Sequence, residues 1–188
     1  MDIVMASGSP RRRELMALIT PDYRVAPSTV EESLLSAPTP QRLVALLAAA
    51  KCADVAQKYP GAAVIGSDTV VDCGGEVFGK PKDAADARRM LEKLSGNTHA
   101  VHTGVCIRTP GGEQAFVATS HVRFFPIPED ELAEYIASEE PYDKAGAYAV
   151  QGRAACWLDA IDGDYYTIMG FPVSRVARAL RALGALPL

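Results

Sequence analysis

An acidic residue, Asp68, set between apolar β-branched residues that ask to be buried limits what this chain can fold into. Ala62 to Pro81 reads AAVIGSDTVVDCGGEVFGKP. Val64, Ile65, Val70 and Val71 are β-branched, the run has strand length, and Gly74-Gly75 folds it back onto Glu76 to Phe78 as a hairpin. Asp68 is thereby expected on a rigid strand. A buried carboxylate without a partner costs stability, so basic side chains should converge on it, and the candidates are Lys51, Lys80 and the run Arg11 to Arg13. A lone strand aspartate is more often half of a structural ion pair than a catalyst. The other segments of the chain shift that balance toward chemistry.

The strongest of them lies near the N-terminus. Asp2 to Ala6 reads as a short strand, Ser7-Gly8-Ser9-Pro10 as a loop, and a helix then opens on Arg11-Arg12-Arg13, with Ser9 as N-cap and Pro10 in the first helical position. Cations in the first turn oppose the positive end of the helix dipole by up to about 1 kcal/mol each, so three of them suit a site that receives an anion. Gly8 permits close backbone approach and two serine hydroxyls lie alongside, which fits a phosphate chain held by N–H groups and guanidinium forks. The plainer alternative is a solvated basic face.

A second strand is expected at Tyr23 to Val25, then a long polar loop through Glu31 and Glu32 to Pro40. Paired glutamates in a loop are usually just solvated, although they can serve a metal. Pro40 opens a helix that runs to about Tyr59, and Val44, Leu47, Lys51 and Val55 share its apolar stripe, which turns Lys51 inward unless it snorkels. Lys80 precedes a helix from about Asp83 to Leu94. Strands at Thr98 to Thr109 and Gln114 to Phe125 form a hairpin, a helix covers Glu129 to Ser138, Gln151 ends a short strand, Ala154 to Ile161 forms another, and Pro172 to Leu183 closes the chain as an amphipathic helix. The amide of Gln151 could face a nucleobase edge, with a surface glutamine as the bland reading. His99 and His102, three apart on one strand, point to opposite faces and cannot chelate a metal together.

Bulk properties exclude several classes. The 188 residues suffice for a single domain, 1–188, drawn out into two lobes. A formal net charge of −4 opposes general binding of nucleic-acid polymers. The apolar stretch Leu43 to Ala50 is too short to span a bilayer and the N-terminus carries no apolar secretory core, so a cytoplasmic protein without membrane contact is expected. Cys52, Cys73, Cys106 and Cys156 form no Cys-x-x-Cys pair and are expected to fill the core.

Assembled, these segments resemble the Maf family of nucleoside triphosphate pyrophosphatases. The likeness runs through Ser7-Gly8-Ser9-Pro10-Arg11-Arg12-Arg13-Glu14-Leu15, Gly66-Ser67-Asp68-Thr69-Val70-Val71, Gly79-Lys80-Pro81, Leu94-Ser95-Gly96, His102-Thr103-Gly104-Val105, Asp143-Lys144-Ala145-Gly146-Ala147-Tyr148 and Gln151-Gly152. It implies an α/β fold with an elongated, curved mixed β-sheet flanked by helices and a cleft between two lobes, similar to inosine triphosphate pyrophosphatase. It also implies Asp68 as catalytic base, with Ser7, Ser9, Arg11, Arg12, Lys51 and Lys80 around the phosphates. Glu32 is the best match to the family's cleft glutamate, Glu31 remaining open, and Glu32 and Asp68 are the implied ligands of a divalent cation, Mg²⁺ or Mn²⁺. Arg11, Thr69 and Gln151 match the branch acting on dTTP and UTP, which yields a nucleoside monophosphate and pyrophosphate. A homodimer is implied as well. Two rivals are a nucleotide-binding regulator of septum formation and cell division, and a pyrophosphatase of the same fold acting on deaminated or modified nucleotides. A serine nucleophile is a weaker proposal, since no histidine lies near Ser7 or Ser9 in sequence.

Overall fold

The computed structural model describes residues 1–187. Seven strands form one mixed sheet: β1 (Ile3–Met5), β2 (Arg24–Val25), β3 (Ala63–Cys73), β4 (Glu76–Phe78), β5 (Thr98–Thr109), β6 (Gly112–Phe124) and β7 (Leu158–Asp162). Their order is β2-β1-β3-β5-β6-β7, with β4 paired to β3. β1 is parallel to both β2 and β3, with Val4 opposite Val64 and Met5 opposite Ile65, whereas β3 with β4 and β6 with β7 are antiparallel. The helices are α1 (Pro10–Ala17), α2 (Pro40–Ala56), α3 (Ala84–Leu94), α4 (Glu129–Ile136), α5 (Tyr165–Met169) and α6 (Val173–Ala182). No helix among the described residues is long and apolar enough to cross a membrane.

The chain divides into two compact units. The first comprises Met1–Asp68, Thr103–Ala118 and residues 170–187. Its core gathers Val4 and Ala6, Ala48, Cys52 and Val55 of α2, Val64 of β3 and Cys106 of β5. Two glycines let α2 lie directly on the strands. A Cβ at Gly66 would stand 2.2 Å from the Ala48 carbonyl oxygen, and one at Gly104 would stand 2.2 Å from that of Val44. Any side chain there would lift the helix. Thr39 caps α2 by accepting from the Arg42 N–H.

The second unit comprises Thr69–His102 and Thr119–Met169. Its core is aromatic: Phe78, Phe124, Tyr135, Tyr148 and Trp157 pack with Leu91, Leu94 and Val101, with edge-to-face contacts such as Tyr135 on Trp157 at 4.8 Å. The Gly74-Gly75 turn forms as expected, both residues taking the positive φ that a two-residue hairpin needs.

Three expectations fail here. Gln151 does not end a strand: residues 145–147 form a 3₁₀ turn containing Gly146 and Ala147, both at positive φ, and Gln151 sits in the turn that follows. The strand expected over Ala154 to Ile161 is instead a 3₁₀ segment, Arg153–Trp157, followed by β7. Cys156, within that 3₁₀ segment, is exposed, and Cys73, at the end of β3, is half-buried, so of the four cysteines only Cys52 and Cys106 fill the core.

Candidate active site

Most of the polar residues singled out by the sequence fall in the first unit, around the carboxyl end of β1 and the middle of β3. β1 delivers Ser7, and α1 starts three residues later with its arginines in the first turn and no acidic residue to offset them. Ser9 stands at the N-cap, but its side chain makes no capping bond. Its backbone N–H donates to Ser7 Oγ at 3.3 Å. Arg12 turns back from the helix: Nη1 donates to Ser7 Oγ at 3.3 Å and Nε to the Gly170 carbonyl at 2.9 Å.

The centre of the site is an ammonium between two carboxylates. Lys51 Nζ lies 2.6 Å from Asp68 Oδ1 and 2.7 Å from Glu32 Oε1. The Lys51 and Asp68 side chains are 11% and 10% exposed, whereas Glu32 is 56% exposed, so the site has a buried floor and an open side. Lys51 therefore does not snorkel. Packing of α2 against Gly66 holds its third and fourth turns on β3, and Asp68, two residues beyond Gly66, shares that sheet face. Glu32 opens a 3₁₀ turn in the loop before α2, while its neighbour Glu31 accepts from Ser33 Oγ at 2.8 Å.

Burial pulls the Arg12 guanidinium below its usual pKa, the charge of Asp68 raising it, Arg11 lowering it and Glu32 raising it again. Arg12 still remains a cation, as arginine does in proteins. One field thus joins Arg11, Arg12, Asp68 and Glu32.

Two further contributors, Ser67 and Gly170, are given no role by the sequence alone. Ser67 Oγ donates to the Gly170 carbonyl at 3.1 Å, so the same oxygen receives both Ser67 and Arg12. Gly170 takes a φ of 98°, which aims its carbonyl as no β-branched residue could. The Met-Gly-Phe-Pro stretch was the available clue.

Thr69, Lys80 and Gln151 belong to the second unit. Thr69 is half-buried, and Lys80 and Gln151 are exposed. The turn bearing Gln151 is pinned on both sides: Gly152 N–H donates to the Ala149 carbonyl at 3.0 Å, Arg153 N–H to Glu140 Oε1 at 3.0 Å, and Ala149 N–H to the Tyr135 hydroxyl at 3.2 Å. Of the histidines, His99 Nε2 pairs with the Tyr148 hydroxyl and His102 Nδ1 with Thr119 Oγ1, each at 2.8 Å.

A carboxylate on a strand, a second carboxylate from a loop and a cluster of cations are groups of the kind that can receive a polyanion with its counter-ion. Among the described residues no three or more His, Cys, Asp or Glu side chains group as a metal cage. Two carboxylates still suit a hard cation such as Mg²⁺, which typically binds through one or two carboxylates and completes its shell with phosphate oxygens and water.

Residues 2–183 match the family model described as Maf-like protein. The chain belongs to this family. It is 43% identical over 182 residues to the dTTP/UTP pyrophosphatase of Geobacillus sp. (strain WCH70), covering 97% of this chain and 98% of that protein. It is 45% identical over 187 residues to the dTTP/UTP pyrophosphatase of Geotalea uraniireducens (strain Rf4), covering 98% and 96%. Among solved structures it is similar in fold to the Ham1 protein of Staphylococcus aureus, with a TM-score of 0.57 at 16% identity, covering 97% of this chain and 99% of that one. A HAM1 protein from Coxiella burnetii gives a TM-score of 0.54 at 13% identity. At those identities the likeness speaks to fold, and both Maf-like sequence and Ham1-like architecture agree with the mixed sheet flanked by helices.

Proposed function

We propose that this Maf-like protein hydrolyses nucleoside triphosphates, dTTP and UTP foremost, to the nucleoside monophosphate and pyrophosphate. The observation that carries the reading is the Lys51 ammonium held between Asp68 and Glu32 beside the arginine turn of α1. The names of the relatives, at about 43% identity over nearly the whole chain, support the substrate class.

In this reading Arg11 and Arg12, with the N–H groups at the start of α1, hold the phosphate chain. The Gly170 carbonyl and Ser7 fix Arg12 before substrate arrives, so the guanidinium needs little reorganisation. Asp68 orients a water molecule against the α-phosphorus. Because Oδ1 is bonded to Lys51, Oδ2 takes the water's proton. A P–O bond forms from the water, the bond to the β-phosphate oxygen breaks, and the electron pair leaves with pyrophosphate. Lys51 balances the charge on the two carboxylates when the site is empty and faces the developing negative charge during attack. Lys80 adds to phosphate binding, and Thr69 and Gln151 read the base. Asp68 and Glu32 are the residues that would hold Mg²⁺ or Mn²⁺, which when bound neutralises charge on the phosphate oxygens. Ser7 Oγ accepts from Arg12 and from Ser9 N–H, an arrangement suited to positioning rather than to nucleophilic attack.

The test is a nucleotide panel of dTTP, UTP, CTP, GTP and ITP with Mg²⁺ in ¹⁸O-water, resolving pyrophosphate from orthophosphate. Pyrophosphate from dTTP and UTP, with the label in the monophosphate, is the expected result. Orthophosphate release, or ITP turned over well above UTP, would replace this reading with another.

A further inference from the structure

Glu32 reaches the site from a loop that is otherwise exposed, with Glu31, Ser33 and Leu34 all turned to solvent. A carboxylate on so open a segment needs something to hold the segment in place. Asp54 supplies the hold. It lies on α2 one turn beyond Lys51, and its carboxylate receives three donors from the start of the loop: Ser28 Oγ at 3.0 Å, Thr29 N–H at 2.8 Å and Thr29 Oγ1 at 3.2 Å, all on Oδ2. Ser28 Oγ in turn accepts from the Val30 N–H at 3.1 Å, which stiffens the turn leading to Glu32. The loop is therefore fastened to α2 at two points, Asp54 with Ser28 and Thr29, and Lys51 with Glu32.

We propose that Asp54 is a positioning residue for the reaction, clamping the Ser28-Thr29 turn to α2 so that the Glu32 carboxylate is held on Lys51. The inference rests on the site assignment above. Three donors on one carboxylate make a fixed point, and the bond from the Thr29 backbone favours the ionised form, holding Asp54 below the usual carboxylate range. Lys58 adds a weaker contact at 3.5 Å from the other oxygen. With Asp54 gone, the few residues between Thr29 and Glu32 lose their anchor, and Lys51 keeps its buried partner Asp68 while the half-exposed Glu32 meets it only from a loose tether. The carboxylate then spends less time on the ammonium, and whatever Glu32 contributes is lost in proportion.

A double-mutant cycle between Asp54→Ala and Glu32→Gln tests this, read as kcat/KM for UTP with Mg²⁺. A residue that acts only through Glu32 has nothing left to contribute once Glu32 is neutralised. Asp54→Ala is expected to lower kcat/KM about tenfold in the wild-type background and less than about twofold in Glu32→Gln, a coupling in the range seen for residues of one network. Thr29→Ser, which keeps the hydroxyl and the N–H, should retain near wild-type activity, while Ser28→Ala should follow Asp54→Ala in direction. An equal loss in both backgrounds would overturn the proposal, because it would mean a general structural role. So would wild-type activity for Asp54→Ala beside an impaired Glu32→Gln, which would leave the site assignment standing. Full activity of Glu32→Gln would overturn both the role of Glu32 and the clamp that serves it.

Discussion

Lys51 Nζ and Asp68 Oδ1 meet at 2.6 Å with both side chains almost wholly buried, and the same ammonium extends to Glu32 at 2.7 Å. The position is set by packing: α2 rests on β3 and β5 where only glycine fits, and that contact directs an otherwise costly lysine toward the strand carboxylate. Under the proposed function, stability and chemistry are tied to the same contact.

Lys51→Met should expose that link. Removing one partner of a buried pair leaves the other charge uncompensated, so unfolding in urea should show a loss of about 3 kcal/mol or more, with turnover reduced at least about a hundredfold. Adding Asp68→Asn to Lys51→Met should restore part of the stability and none of the activity. A double variant less stable than Lys51→Met alone would show that the pair is not the source of the loss.

Gly66→Ala and Gly104→Ala both place a methyl group 2.2 Å from a carbonyl oxygen of α2. The helix must move away from the sheet, at about 1–3 kcal/mol for an overpacked contact. Gly66→Ala, whose contacts are with Ala48 and Cys52 on either side of Lys51, should also reduce kcat more than it changes KM. Thermal melts and steady-state kinetics on the two variants separate these effects.

Much of this frame is legible in the sequence. Proline at the start of α2, paired glycines between β3 and β4, and the inward register of Lys51 are local signals that tertiary structure did not override. Where sequence reading fell short, the deciding contacts are distant in the chain. Glu31 and Glu32 are indistinguishable by local preference, and only the meeting with Lys51 separates them. The strand expected before Gln151 is displaced by a 3₁₀ turn whose following segment is held by Glu140 and Tyr135. Gly170 acts through a carbonyl aimed by a positive φ, information that a side-chain pattern does not carry.

His99 makes stability depend on pH. Burial, with a smaller contribution from His121, lowers its pKa from 6.5 to about 4, and its Nδ1 is buried without a hydrogen-bond partner. A base whose folded pKa is depressed stays neutral in the native state while the unfolded chain takes up the proton. Its contribution is therefore complete above about pH 6.5 and lost as pH falls toward 4, by about 3 kcal/mol over that window. His102 is lowered by burial as well and acts in the same direction. Urea unfolding at pH 7.5, 6 and 5 should follow this decline, and His99→Gln, which cannot titrate, should flatten it. An unchanged slope in that variant would remove His99 as the cause.

Lys80 and Gln151, both exposed on the second unit, should separate phosphate binding from base reading. Lys80→Ala is expected to raise KM for every nucleoside triphosphate alike. Gln151→Ala should raise it for dTTP and UTP by about fivefold to tenfold, the value of one hydrogen bond, and leave poor substrates unaffected. Uniform effects of Gln151→Ala across the nucleotide panel would deny it a role in base selection.

Whether Asp68 is the base is decided by Asp68→Asn, assayed for pyrophosphate release from UTP and dTTP beside nucleotide binding by calorimetry. Turnover is expected to fall by at least about a hundredfold with binding retained, because the amide keeps the shape of the site and cannot accept the water's proton. Turnover at the wild-type rate would contradict this and take the role of base away from Asp68.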